Sequence, residues 1–272
     1  MKRSVLISVL ILSGTCMLYG CKTKTHDKID LSSIHTSAAQ KLPTETMSPS
    51  TEATTTVPET SSIGSDPAAT SKLTTKLETY TTDQISIQYP VVSNLADTAK
   101  QTAVNELLKK NALSFCDQFL TMNVNVNVSV LCEVTSLDQK RMTAVYTGAY
   151  TVTGGAYPVN VFYSNTVDLT QAKNLGFHDY SDAYTMAGSV MSADCKFYEV
   201  SSELEKALLD YRATQSLDFY TKLLEAADFS AANKTGFPES FSYVKQGVLY
   251  FSIPVPHALG DYALVYYSLD GK

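Results

Sequence analysis

The sequence predicts an α+β domain: a mainly antiparallel sheet with one long N-terminal helix and two or three later helices packed on it. Three observations predict it. Val124, Val126, Val128 and Val130 alternate with Asn123, Asn125, Asn127 and Ser129, the period of a strand with one dry face. Two further strand-like runs within Tyr146–Leu169 flank Gly154 and Gly155, which fold them back on each other. Leu204, Ala207, Leu208 and Tyr211, then Tyr220, Leu223, Leu224 and Ala227, recur at helical spacing. Successive amphipathic helices need a sheet face to cover.

The chain of 272 residues begins with a segment that is not fold. Residues 1–21 read as a signal peptide: Lys2 and Arg3, an apolar run from Val5 to Leu12, then small residues. The run is shorter than the ~20 apolar residues that span a bilayer. It ends in Leu18-Tyr19-Gly20-Cys21, which resembles a bacterial lipobox and makes Cys21 the expected lipidation site. An ordinary secretory signal is the alternative. Residues 22–75 are rich in Ser, Thr, Ala and Pro, too poor in large apolar side chains to offset the entropy of ordering, and are expected to form a disordered tether. His26 and His35 fall in it and are not read as metal ligands. Residues 76–272 form the folded part, with 76–136 and 137–272 as possible halves.

Within that part, Leu77–Val92 is the first strand region, because Ile85, Ile87 and Tyr89 alternate with Ser86 and Gln88; Pro90 is expected to end its pairing. Asn94 and Asp97 offer an N-terminal cap for a helix running to about Leu120, with Val104, Leu107, Leu108, Ala112, Phe115 and Phe119 as its stripe. Asn105 and Asn111 are read as edge residues of that helix. The Asn/Val strand follows, then a turn at Asp138-Gln139 and a strand Lys140–Thr153, with Tyr146 and Tyr150 on one face and Gly148 between them. After Pro158, Val159, Val161, Tyr163, Val167 and Leu169 face one way. Residues 168–179 turn away from the sheet. A short helix is expected at Ser181–Met191, a capping box at Ser202 and Glu205, and another helix start at Ser216. Phe241–Lys245 and Val248–Ile253 are strands joined through Gln246-Gly247, and Tyr262–Leu269 is the last.

Composition narrows function. The formal charge is −6 and no Lys/Arg stripe occurs, so nucleic acid is not an expected partner. Cys116, Cys132 and Cys195 permit one disulfide in any of three pairings, or three free thiols. No nucleophile elbow, zincin or P-loop pattern occurs, and no catalytic residue, metal or cofactor is assigned. His178 and Asp179 are adjacent, and an approach of His257 and Asp261 near the Gly260 turn is the other pairing the sequence offers. Seventeen Tyr and no Trp favour binding surfaces that join a flat apolar face to a polar tip. Tyr157, in a turn where burial is not required, leads the candidate ligand-binding residues, with Tyr150, His178 and Asp179.

Ile87-Gln88-Tyr89-Pro90 before a helix containing Asn105, Gly154-Gly155-Ala156-Tyr157-Pro158 before Asn165-Thr166-Val167-Asp168-Leu169, Phe177-His178-Asp179, and Gly247-Val248-Leu249-Tyr250-Phe251 before Ala258-Leu259-Gly260 stand in a familiar order. That order resembles the extracellular domain of the lysozyme-sensing anti-sigma factor RsiV. The same domain forms the non-catalytic N-terminal half of the peptidoglycan deacetylase PdaC and occurs in stand-alone lipoproteins. The resemblance covers about residues 76–270. Tyr157 stands where that family commonly has His. What it implies is the fold and a wall-facing, binding-type role; it does not imply that this chain binds lysozyme. Together with the lipobox, the expectation is a non-catalytic binding or sensor domain on the outer face of the cell membrane, held by its N-terminal lipid, for a cell-envelope ligand, a muramidase-like protein or peptidoglycan. Neither sigma-factor sequestration nor deacetylation is carried over. A peptidoglycan-modifying enzyme, or an accessory subunit of one, is the alternative.

Overall fold

The computed structural model describes residues 72–122, 124–229 and 236–270. The signal segment, Cys21, both tether histidines and Asn123 lie outside them. No described helix is long and apolar enough to cross a membrane.

Strands β1 (Thr74–Thr81) and β2 (Ile85–Ser93) form a hairpin, so the first strand region is two strands. Helix α1 (Thr98–Leu113) follows, capped by Asp97, whose side chain accepts from Lys100 N at 3.0 Å. It ends where the Ser114 hydroxyl donates to Asn111 O at 2.7 Å and the chain tightens into a 3-10 turn, Ser114–Cys116. Helix α2 (Asp117–Met122) resumes after it. Then come β3 (Val126–Leu137), β4 (Arg141–Val152), β5 (Val159–Asp168) and the three-residue β6 (Lys173–Leu175). Helices α3 (Ala183–Met191), α4 (Ser202–Arg212) and α5 (Leu217–Glu225) precede β7 (Ser242–Lys245), β8 (Val248–Pro254) and β9 (Tyr262–Ser268). The α4 cap is Ser201, one residue before the expected Ser202.

The α+β class holds, but the expected architecture does not. There are two sheets, not one. β1 to β6 form a mixed six-stranded sheet in sequence order, with β2 and β3 parallel, and β7 to β9 form a separate antiparallel sheet. The expected long N-terminal helix is also corrected: α1 has 16 residues, follows two strands and is broken from α2 at Ser114. The later helices pack not on the large sheet but on the small one.

The reason is the two-sided burial of β5. Its odd-numbered residues face α1: the Tyr163 hydroxyl donates to Ala112 O at 2.9 Å, and Asn165 meets Asn111. Its even-numbered residues face the small sheet: Phe162 packs on Tyr243 and Tyr262, and the Ser164 hydroxyl donates to Ser242 O at 2.8 Å. The far face of the small sheet, Leu249, Phe251, Ile253, Ala263 and Val265, closes a second core with Met186, Leu208, Tyr220 and Leu224 from the helices. The layers are therefore helix, large sheet, small sheet, helices.

Pro90 does not end its strand. It sits inside β2 opposite Leu77, while β2 pairs with β3 only over Ile85–Ile87, so its missing N–H falls where β2 has a single neighbour. Asn105 and Asn111 are fasteners rather than edge residues. The Asn105 amide accepts from Val92 N at 2.8 Å and donates to Val92 O at 2.9 Å. Asn111 donates to Asn165 at 3.0 Å and to Asn174 at 2.8 Å, and Asn174 continues to Phe229 O at 2.9 Å. Asn111→Ala leaves part of this buried chain without donors, and urea denaturation is expected to show a loss of about 1–3 kcal/mol. An unchanged midpoint would mean that water replaces the amide without cost.

Candidate functional site

The β4–β5 connection builds the site. The last paired residues are Tyr150 and Val159, so the loop extends beyond the two glycines. Gly155 N donates to Val152 O at 2.8 Å, closing a turn whose third residue, Gly154, has φ 84°. That is the type II geometry, which favours glycine at this position. The loop then carries Tyr157 outward, 71% exposed.

A second loop meets it. After β8, His257–Leu259 form a 3-10 turn, and Gly260 (φ 103°) and Asp261 (φ 72°) curl the chain back into β9. This curl turns the Asp261 carboxylate onto the His257 ring, with Nδ1 2.8 Å from Oδ1. The other carboxylate oxygen accepts from Asn160 N at 2.7 Å, and the Asn160 side chain donates to Gly260 O at 3.3 Å. One carboxylate, 12% exposed, thus locks the β8–β9 turn to the start of β5 and orients a half-exposed imidazole. The Tyr157 ring lies 5.9 Å from that imidazole, tilted by 31°. Among the described residues, His257 Nε2 makes no hydrogen bond, which leaves it for a ligand.

Tyr150 supports the same corner from below. Its ring packs on Phe119 and Phe115 at 4.9 and 5.8 Å, and burial first, then the charge of Asp261, push its phenol above the usual range. His178 and Asp179 do not join them. They sit in the turn after β6, where His178 Nε2 meets Glu225 O at 3.0 Å and Asp179 accepts from Gly176 N at 2.8 Å. His178 thus fastens the β6–α3 connection to the end of α5, while Asp179 closes a turn within that connection.

The pairing of His257 with Asp261 was visible in the sequence as a four-residue spacing across a glycine. Asn160 was not, because its place on a strand face gives no sign that its amide fastens another loop. The corner offers a hydrogen-bonding imidazole beside an aromatic face. Among the described residues the three cysteines are free thiols, and burial pushes Cys116 to about 11, Cys132 to about 12 and Cys195 upward, so they stay protonated at neutral pH. Among the described residues no group of three or more His, Cys, Asp or Glu is placed to hold a metal ion.

No family model and no curated protein matches the chain. It is similar to a crystal structure of a member of the DUF3298 family from Bacteroides fragilis, with 10% identity, 73% of this chain and 90% of that one covered, and a TM-score of 0.37. It is also similar to a DUF3298 family protein from Pseudomonas aeruginosa, with 14% identity, 74% and 94% coverage, and a TM-score of 0.37. These structural neighbours are DUF3298 family proteins; no residue role passes from them to this chain.

Proposed function

We propose that this chain is a lipid-anchored surface protein of the RsiV type, whose folded domain binds a cell-envelope ligand, a muramidase-like protein or peptidoglycan, at the Tyr157 corner. Cys21 carries the anchor in this reading, and the Ser/Thr-rich segment lifts the domain from the membrane. The observation that carries the reading is the exposed Tyr157 ring beside an imidazole already oriented by Asp261. Aromatic faces next to fixed polar groups suit both protein interfaces and sugar stacking.

The test is co-sedimentation with purified peptidoglycan and pull-down with a panel of muramidases, using the wild type and Tyr157→Ala. The variant is expected to keep its melting temperature and to bind on the order of tenfold to thirtyfold more weakly, the loss of a hot-spot side chain. If it unfolds, the loop is structural and the site assignment fails. If the wild type binds neither class of ligand, the function fails.

A second reading rests on the free Nε2 of His257: an oriented imidazole also suits a proton-transferring enzyme of wall metabolism. Muropeptides incubated with the protein would then change mass, and His257→Ala would stop the change.

A further inference from the structure

A cleft of about 240 Å³ opens between the two sheets, at the end of β4 opposite the Tyr157 loop. One wall is the large sheet, with Arg141 and Thr143 from β4, Thr166 from β5, and Thr135 and Ser136 from β3. The β3–β4 register shifts between Val134 and Ser136, and such a bulge re-aims the side chains it carries. The other wall is the β7–β8 hairpin, with Lys245, Gln246 and Gly247. Gln246 (φ 52°) and Gly247 (φ 77°) are both left-handed, the tight two-residue turn that sets Lys245 opposite the large sheet.

The charges of this cleft do not balance. No carboxylate lines it, and among the described residues neither Arg141 nor Lys245 has an ion-pair partner within 4 Å. The neighbouring acids are engaged elsewhere. Asp138 accepts from Lys140 N and Arg141 N at 2.7 and 2.8 Å. Asp168, opposite Arg141 in the β4–β5 register, turns to accept from Thr170 and Gln171. Asp270 lies against Gly247, outside the lining. The hydroxyls add donors. Thr143 and Thr166 are buried and 3.0 Å apart, and Tyr180 lines the cleft beside them. The threonine pair uses one of its two hydroxyl protons internally and leaves the other for a further acceptor.

We infer that this cleft binds a small oxyanion, a carboxylate- or phosphate-bearing molecule, held between the Arg141 guanidinium on one sheet and the Lys245 ammonium on the other. A guanidinium fork matches either oxyanion, and an ammonium supplies a second point charge. The volume equals roughly eight waters, room for a small polar molecule but not a folded partner. The site is independent of the Tyr157 corner.

Thermal melts of the full chain with increasing inorganic phosphate or citrate, against sodium chloride at matched ionic strength, test it. A guest that bridges the sheets stabilises the folded state by mass action, so a saturable rise in melting temperature beyond the chloride control is expected. Saturation by phosphate alone, citrate alone or both supports the site and names the preferred oxyanion. Arg141→Gln and Lys245→Gln, both at exposed positions, are each expected to weaken binding about tenfold. Amide resonances of Thr166 and Gly247 should move on titration in the wild type and stay still in the double variant. A rise no larger than that with chloride, or one retained in the double variant, overturns the inference.

Discussion

Gly148→Ala is expected to destabilise the domain severely. Gly148 lies in β4, paired with Val130 of β3 and Val161 of β5, between the inward rings of Tyr146 and Tyr150. A methyl group there would stand 2.0 Å from Ser129 O and 2.8 Å from Val130 Cα. Both obstacles are backbone, so no side chain can swing aside, and relief requires opening the β3–β4 ladder at the middle of the sheet. Overpacking of this kind belongs to the severe end of single substitutions, about 4 kcal/mol or more. Domains of this type have about 5–15 kcal/mol in total. The control is Gly188→Ala in α3, where an added Cβ meets nothing within 4 Å. That change is expected to be neutral or to stabilise by up to ~1 kcal/mol. Circular dichroism and denaturant melts of the two variants check this, and a Gly148→Ala protein that melts with the wild type would show that the ladder yields easily.

Asp228 is expected to make stability fall as pH rises. Its buried carboxylate fastens the turn after β6 to the start of β7: Oδ2 accepts from Phe177 N at 2.7 Å and from the Ser242 hydroxyl at 2.6 Å, and Oδ1 from Ser242 N at 2.7 Å. Burial pushes its pKa from 3.8 to about 7 against the opposing pull of these donors. On protonation the Asp228 and Ser242 hydroxyls exchange donor roles across their short contact. A folded-state pKa above the unfolded value means that the folded chain holds the proton more tightly. The contribution is therefore fully present below pH 3.8 and is lost as pH rises through about 7. Urea denaturation between those limits should show the wild type losing a few kcal/mol relative to Asp228→Asn, which cannot ionise. The surface carboxylates Asp138, Asp168 and Asp182 have lowered pKa values, so their contributions fade only below their ordinary 3.8, outside this window. Parallel pH profiles for the two proteins would show that Asp228 stays ionised throughout. Asp228→Ala, which strands all three donors, is expected to cost more than the Asn variant at every pH.

Much of the fold was legible one element at a time. The Asn/Val alternation gave β3 its dry face, and Asp97 and Ser216 cap the helices they were expected to cap. Gln246-Gly247 makes the hairpin turn, and Tyr146 and Tyr150 share a face across Gly148. Misreadings arose where one segment depends on a distant one. Adjacent residues His178 and Asp179 diverge to separate partners. His257 and Asp261 converge, because a left-handed pair at Gly260 and Asp261 folds the chain back on itself. The strand β6 has three residues and carries too little pattern to be seen.

The sequence by itself determined the alternation of faces, the caps and turns, and the exposed loop of Tyr157, because these follow from local stereochemistry and from the period of apolar residues. Only the tertiary structure decided that the strands divide into two sheets, that the late helices cover the smaller one, and that Asn160 and Asp261 lock His257 beside Tyr157. Periodicity states which face of a strand must be dry. It does not state what dries it, and on β5 both faces are buried, by α1 on one side and by the small sheet on the other.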